Sequence, residues 1–313
     1  MKNAVIGLAL LLLALGPGCI RPIADNRTIS APGDYSFTTM HGGIEREYVM
    51  HVPPSYRNST PTPVVIFLHG GLGGDDRAEA LGLNANSDKY GFVLLAPAGT
   101  SAFSSNELRT WNAGAWDNSS CCGYAYKKNV DDVGFISQMI DETEARVNVD
   151  AKRVYATGFS NGGGLTYRLA CELSNRIAAA AASSPAGLEG NCSPSRPISI
   201  MHIHGTADPC VPFNGGKSQC ASGTDWPPAQ QDVDFWLGQD RCGASGTVAY
   251  QNGNATCTSY ACAQGTEVEF CKVEGMGHAW PAGNYYTPKS ANSISRDISF
   301  DQIWEFFQRN PME

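Results

Sequence analysis

Pro63–Leu68 (PVVIFL), Phe92–Ala96 (FVLLA), Val154–Gly158 (VYATG), Ile177–Ala182 (IAAAAA) and Ile198–Ile203 (ISIMHI) are apolar almost without interruption. A strand with one wet face alternates apolar and polar residues, whereas one covered on both faces does not, so these runs suit a parallel sheet buried between helices. The intervening segments agree. Val130–Val147 opens on Asp131 and Asp132, which favour a helix N-terminus, and sets Val133, Ile136, Met139 and Ile140 on one face. Asn161–Leu173, Gln231–Leu237 and Phe300–Phe307 are further helical candidates. Glu47–Val52 alternates as an edge strand does and stops at Pro53-Pro54, and Glu267–Val273 supplies a last strand. Strand and helix in this alternation predict an α/β architecture: an open, mostly parallel sheet with helices on both faces. No internal repeat or low-complexity linker divides the 313 residues, so one catalytic domain is expected over 43–313, after a leader of 20–42.

Residues 1–19 differ from the rest. Lys2, an apolar core over Val5–Leu15 and the break Gly16-Pro17-Gly18-Cys19 read as an export signal, too short to span a bilayer. No later segment approaches a membrane span. Cys19 after small residues also resembles a lipoprotein cleavage site, so a lipid anchor at Cys19 stands as the alternative to simple secretion. Setting Cys19 aside, the remaining ten of the 11 cysteines allow up to five disulfides in an oxidising compartment. Their crowding from Cys210 to Cys271 suggests that the small-residue-rich region 214–262 is stapled because its core is thin. No CxxC pair or His at ligand spacing points to a metal. With 22 Lys+Arg against 30 Asp+Glu, and no basic run, nucleic acid is not expected as a partner.

The chemistry starts at Gly158-Phe159-Ser160-Asn161-Gly162, set between the VYATG strand and the helix beginning at Asn161. Gly-x-Ser-x-Gly in that context makes a tight turn that lifts the serine hydroxyl clear of the sheet, although the same letters alone would describe a glycine-rich helix entrance. A serine nucleophile needs a base, and the base needs a carboxylate to orient it, in the chain order Ser, acid, His. Only His202, His204 and His278 follow Ser160. The first two fall in or at the end of a strand, as packing or hydrogen-bonding residues do, while His278 sits in the loop Gly275-Met276-Gly277-His278, free to reach over the serine. Asp208 follows the ISIMHI strand directly and is favoured as the acid over Asp225, Asp232, Asp234 and Asp240, although by itself it also suits a turn before Pro209. Oxyanion donors are expected from the N–H of Gly71, in Leu68-His69-Gly70-Gly71, and the N–H of Asn161. His69 is read as bracing that loop, and His41-Gly42-Gly43 as a hairpin turn.

Taken in order, Leu68-His69-Gly70-Gly71, Trp111-Asn112-Ala113-Gly114, Cys121-Cys122-Gly123, Val130–Ile136 (VDDVGFI), Gly158–Gly163 (GFSNGG), His204–Asp208 (HGTAD) and Gly277–Pro281 (GHAWP) resemble the poly(3-hydroxybutyrate) depolymerase-like esterases, which include the feruloyl and acetylxylan esterases of carbohydrate esterase family one. The resemblance runs from about Gly43 to the C-terminus. It implies an α/β-hydrolase fold and a cofactor-free serine esterase with Ser160, Asp208 and His278 as its triad. The cysteine-rich stretch 214–262 departs from the family pattern and leaves the pocket shape open there.

His278 then takes the proton of Ser160 as it attacks the ester carbonyl, and water later releases the acid from the acyl-enzyme. Trp111 and Trp280 are candidate aromatic platforms for a feruloyl ring or a sugar, against the commoner role of tryptophan in cores. An acidic, exported esterase suits feruloyl or acetyl esters of plant polysaccharide; polyester, as soluble oligomer, is the alternative substrate, since no adsorption module or clear apolar patch for solid polymer is recognised. A peptidase or acyltransferase on the same triad, and a non-catalytic binding protein on the same scaffold, complete the alternatives.

Overall fold

The apolar runs become the middle of one sheet. The computed structural model describes residues 21–22, 28–103, 108–116, 119–187, 192–220, 224–282 and 294–313; the expected export segment 1–19, with Cys19, lies outside the described residues. The eleven strands of the sheet are β1 (Arg21–Pro22), β2 (Gly33–His41), β3 (Ile44–Val52), β4 (Thr62–Leu68), β5 (Val93–Pro97), β6 (Val149–Phe159), β7 (Ala179–Ser183), β8 (Ser199–Gly205), β9 (Thr247–Asn252), β10 (Ala255–Ala261) and β11 (Glu267–Val273). Their spatial order is β1-β2-β3-β5-β4-β6-β7-β8-β11-β10-β9. The helices, in chain order, are α1 (Arg77–Ala80), α2 (Leu83–Tyr90), α3 (Gly123–Lys127), α4 (Asp132–Glu144), α5 (Asn161–Glu172), α6 (Ala229–Gln239) and α7 (Phe300–Arg309). From β5 through β4, β6, β7 and β8 to β11, every neighbouring pair is parallel. The hairpins β2/β3 and β9/β10 carry the antiparallel flanks.

All residues of β4, β5, β7 and β8 are buried, as strands covered on both faces must be. The period-2 geometry of β4 divides its side chains between two cores. Val64, Ile66 and Leu68 join a cluster with Ile136 and Met139 of α4 (Asp132–Glu144), Leu165 and Leu169 of α5 (Asn161–Glu172) and Trp236 of α6 (Ala229–Gln239). Val65 and Phe67 join the other, with Leu83 of α2 (Leu83–Tyr90) and Ile303, Trp304 and Phe307 of α7 (Phe300–Arg309). Each fully buried side chain of this size contributes about 1.5–3 kcal/mol, so both faces of the sheet are held against their helices.

The expected start of the domain is corrected. Residues 33–41, placed in a leader by the sequence reading, form β2 and pair with β3 from Gly33↔Val52 to His41↔Ile44. Tyr35 and Phe37 are buried, and Phe37 stacks on Tyr48 at 4.9 Å between centroids, which ties this segment into the sheet. Gly42 and Gly43, at φ 58° and 79°, make the two-residue turn between the strands, as His41-Gly42-Gly43 predicted.

Ten cysteines pair at disulfide distance: Cys121–Cys122, Cys171–Cys192, Cys210–Cys220, Cys242–Cys262 and Cys257–Cys271. The last three brace the region whose core looked thin in sequence, where β9 is almost wholly exposed. Among the described residues, no helix is long and apolar enough to cross a membrane.

Candidate active site

Ser160 sits between β6 and α5 with φ 56° and ψ −119°, a backbone conformation that sterics disfavour for any residue with a side chain. Its neighbours hold it there. Its N–H donates to Ser183 O (2.9 Å), while its carbonyl accepts from Gly164 N–H (2.9 Å) and Ala186 N–H (2.9 Å). The two flanking glycines are required by close approach: a Cβ on Gly158 would overlap the Gly162 carbonyl, and one on Gly162 would overlap the carbonyls of Leu68 and His69. The turn is therefore wedged against the end of β4, and the serine side chain is left partly exposed.

The loop after β4 reaches the same place. A Cβ on Gly70 would lie 3.6 Å from Ser160 Cβ, and one on Gly71 would lie 3.7 Å from Asn161 Cβ. The Asn161 N–H is the first of the α5 donors that have no carbonyl within the helix. Its side chain is clamped on the Trp111 backbone, with Trp111 N–H donating to Oδ1 (2.7 Å) and Nδ2 donating to Trp111 O (3.1 Å). His69 braces the loop as expected: Nε2 accepts from Gly99 N–H (3.0 Å) and Nδ1 donates to Gly70 O (2.7 Å). Burial pushes this imidazole down to about 4, so it stays neutral.

Asp208 and His278 come together from the loops after β8 and β11. Asp208 Oδ2 accepts from His278 Nδ1 (2.7 Å), and Asp208 Oδ1 accepts from the N–H groups of Cys210 (2.8 Å) and Val211 (2.9 Å). Burial alone would raise the Asp208 carboxyl, but the hydrogen bond and charge of His278, with His204 and the Val211 amide, outweigh it and hold the group below its usual range. The loops are stitched by Thr206 N–H to Val273 O (3.0 Å) and Ala207 N–H to Met276 O (3.0 Å). The His278 ring packs on Phe159 at 4.6 Å between centroids, and Ser183 Oγ donates to Ala279 O (3.5 Å), which sets the His278 loop beside the Ser160 turn.

The two tryptophans are corrected. Trp111 is 0% and Trp280 1% exposed, so neither ring offers a face to a ligand. The Trp111 indole N–H donates to His69 O (2.9 Å), and Trp280 packs edge-on against Phe67 at 5.2 Å. Both rings stiffen the loops around the site by filling the core beneath it.

One supporting pair escaped the sequence reading. Arg46 Nη2 donates to Asp132 Oδ1 (2.7 Å), both groups being buried, and Asp132 Oδ2 accepts from Asn112 N–H (2.7 Å), next to the Trp111 that clamps Asn161. The sequence held a signal: Arg46 shares a strand face with Tyr48, Met50 and Val52, and a charge in an apolar register implies a buried partner. Two sets of possible metal ligands, Asp208/Cys210/His278 and Cys257/Glu269/Cys271, rely on cysteines whose sulfurs are engaged in disulfides and so offer no thiolate.

Known proteins resemble this chain along most of its length. The profile of the phospholipase/carboxylesterase family matches residues 55–222. A probable feruloyl esterase C of Aspergillus flavus is 31% identical over 275 residues, covering 86% of this chain and 86% of that protein. Feruloyl esterase B of Piromyces equi is 35% identical over 173 residues, 53% of this chain and 31% of that protein, so the chain spans about a third of the length of that relative. Among solved structures, the acetyl xylan esterase from Aspergillus awamori superposes with a TM-score of 0.55 at 15% identity, covering 84% of this chain and 94% of that one, a likeness of fold. With its doubly covered parallel sheet and its serine turn, the chain belongs to the phospholipase/carboxylesterase family of α/β-hydrolase esterases.

Proposed function

We propose that this protein is an exported serine esterase that hydrolyses feruloyl or acetyl esters of plant polysaccharide, with Ser160 as nucleophile, His278 as general base and Asp208 as the group that orients it. The backbone of Ser160 carries the proposal: its φ 56°, ψ −119° turn at a strand-to-helix junction is strain that local packing maintains and that presents a hydroxyl at the carboxyl end of β6. The Asp208–His278 hydrogen bond supplies the oriented imidazole. In this scheme His278 Nε2 accepts the Ser160 proton during attack, the N–H groups of Gly71 and Asn161 receive the developing oxyanion, and the protonated imidazole then gives its proton to the leaving alcohol. Water, activated by the same ring, releases the acid and restores Ser160.

The choice of acyl group rests on the relatives, named feruloyl esterases, and on the solved structure named an acetyl xylan esterase. Apolar packing supports the serine turn itself: Cys121, Ala186, Val211 and Trp226 form a buried cluster with Cys122 packed against it, and the Ala186 N–H donates to the Ser160 carbonyl. The test is kcat/KM on methyl ferulate, acetylated xylan and a 3-hydroxybutyrate oligomer, with Ser160→Ala as blank. A preference of about a hundredfold, about 2.7 kcal/mol of transition-state discrimination, for one of the first two supports the proposal. A like preference for the oligomer overturns the substrate class, and full activity in the blank overturns the mechanism.

A further inference from the structure

Behind Asp208 runs a buried chain of polar side chains with no counterpart in the scheme above. Tyr167 on α5, and His202 and His204 on β8, are each at most 1% exposed. Tyr167 Oη lies 2.5 Å from His202 Nδ1, His202 Nε2 lies 2.9 Å from His204 Nδ1, and His204 Nε2 lies 2.9 Å from Val211 O. A carbonyl only accepts, so His204 carries its proton on Nε2. Burial holds both imidazoles below their ordinary range and therefore neutral, with a single proton each. His204 Nδ1 is then an acceptor, which places the His202 proton on Nε2 and leaves His202 Nδ1 to accept from the Tyr167 hydroxyl. Every donor in the chain points toward Val211.

Val211 is where the chain meets the acid. Its carbonyl accepts from His204 while its N–H donates to Asp208 Oδ1 (2.9 Å), so the two peptide groups flanking one residue are each held, one by the acid and one by His204. His204 Nε2 also lies 3.6 Å from Asp208 Oδ2, the oxygen that accepts from His278; this is too long for a hydrogen bond, but it places a positive N–H dipole beside the carboxylate. The other end of the chain is anchored on α5, the helix whose N-terminus carries Ser160. We infer that His204 is a positioning residue for the acid, fixing the 208–211 turn by holding the Val211 carbonyl, while Tyr167 and His202 fix the direction in which its own proton points. The inference rests on the catalytic reading of Asp208 and His278 proposed above.

The test compares kcat and KM for 4-nitrophenyl acetate in the full-length wild type, His204→Leu, His204→Gln, Tyr167→Phe and Asp208→Asn, with near-UV circular dichroism to confirm folding. His204→Leu, which keeps bulk and removes the donor, is expected to lower kcat about 10- to 100-fold with KM changed less than about threefold, as misplacement of a reacting group does. His204→Gln, whose amide can still donate to Val211 O, is expected to recover most of that loss. The proton shared by His278 and Asp208, followed as a downfield NMR resonance, is expected to shift or broaden in the Leu variant and to hold in the Gln variant. A folded His204→Leu with wild-type kcat, or a Gln variant no better than Leu, overturns the inference. If His204→Leu does not fold, Tyr167→Phe decides: a loss of about threefold in kcat at unchanged KM supports it, and unchanged kcat overturns it. Wild-type kcat in Asp208→Asn overturns the catalytic reading and this inference with it, whereas a crippled Asp208→Asn beside an unaffected His204→Leu overturns this inference alone.

Discussion

His278 Nδ1 lies 2.7 Å from Asp208 Oδ2 across 70 residues of sequence, and the same carboxylate receives two backbone N–H groups on its other oxygen. The geometry leaves Asp208 ionised and allows one tautomer for the imidazole. Asp208→Asn, which would present an N–H in place of an acceptor, is expected to lower kcat by about 10³- to 10⁴-fold with little change in KM. Steady-state kinetics on an activated acetate ester measures it; a loss below tenfold would remove Asp208 from the mechanism.

The Gly162 position has no room for a methyl group, because the carbonyls of Leu68 and His69 occupy the space, whereas nothing lies within 4 Å of a Cβ on Gly238 in α6. Gly162→Ala is expected to cost about 2–4 kcal/mol and to abolish activity by displacing the serine turn. Gly238→Ala is expected to stabilise by about 0.5–1 kcal/mol through helix propensity, with activity unchanged. Thermal melts of the two variants side by side check both signs.

Removing one partner of the Arg46–Asp132 pair strands a buried charge and releases the Asn112 amide. Asp132→Ala is expected to destabilise by about 3–5 kcal/mol. Denaturant unfolding of the single variant and of the Arg46→Met/Asp132→Leu double variant checks this: the double variant is expected to recover much of the loss, and a double variant as unstable as the single one would show that volume, not charge, matters there.

Burial holds several carboxyls above their ordinary range, Asp75 and Asp132 among them, and pushes Asp232 up to about 8, Asp240 to about 7 and Glu269 to about 7. A raised acid favours the fold while it is neutral, so its contribution is complete below the unfolded value near 4 and is lost as pH climbs through 7 to 8. The buried imidazoles His69, His202 and His204 act oppositely, costing stability as pH falls below about 6.5. Stability is therefore expected to decline from pH 6.5 to 8.5, where the carboxyls act alone. Asp232→Asn removes the group with an unpartnered Oδ1, so it is expected to raise Tm at pH 8.5 relative to wild type and to flatten the decline. Melting curves across that range would contradict this if the two proteins lost Tm in parallel.

Much of the fold was legible because its signals are local. The runs at Pro63–Leu68 and Glu267–Val273 name strands that begin and end within one residue of Thr62–Leu68 and Glu267–Val273. The placement of Ser160 after β6, Asp208 after β8 and His278 after β11 follows from chain order, since the carboxyl ends of parallel strands lie at one end of the sheet. Residues 33–41 were not legible: Tyr35 and Phe37 offer only a weak alternation, and β2 exists through its pairing with β3. Trp111 and Trp280 misled because an aromatic near a reactive residue reads the same whether it faces the ligand or the core, and only burial separates the two.

The sequence by itself determined the doubly buried sheet and singled out Ser160, Asp208 and His278 as the candidates the proposal uses, because apolar periodicity and turn chemistry act between residues close in the chain. The tertiary structure decided what those residues touch: that Asn161 is clamped by Trp111, that Arg46 meets Asp132, and that Tyr167, His202 and His204 align behind Asp208. Apart from His202–His204, these contacts join residues tens of positions apart. Their partners are selected by the desolvation of polar groups in a packed interior, and no local pattern encodes that selection.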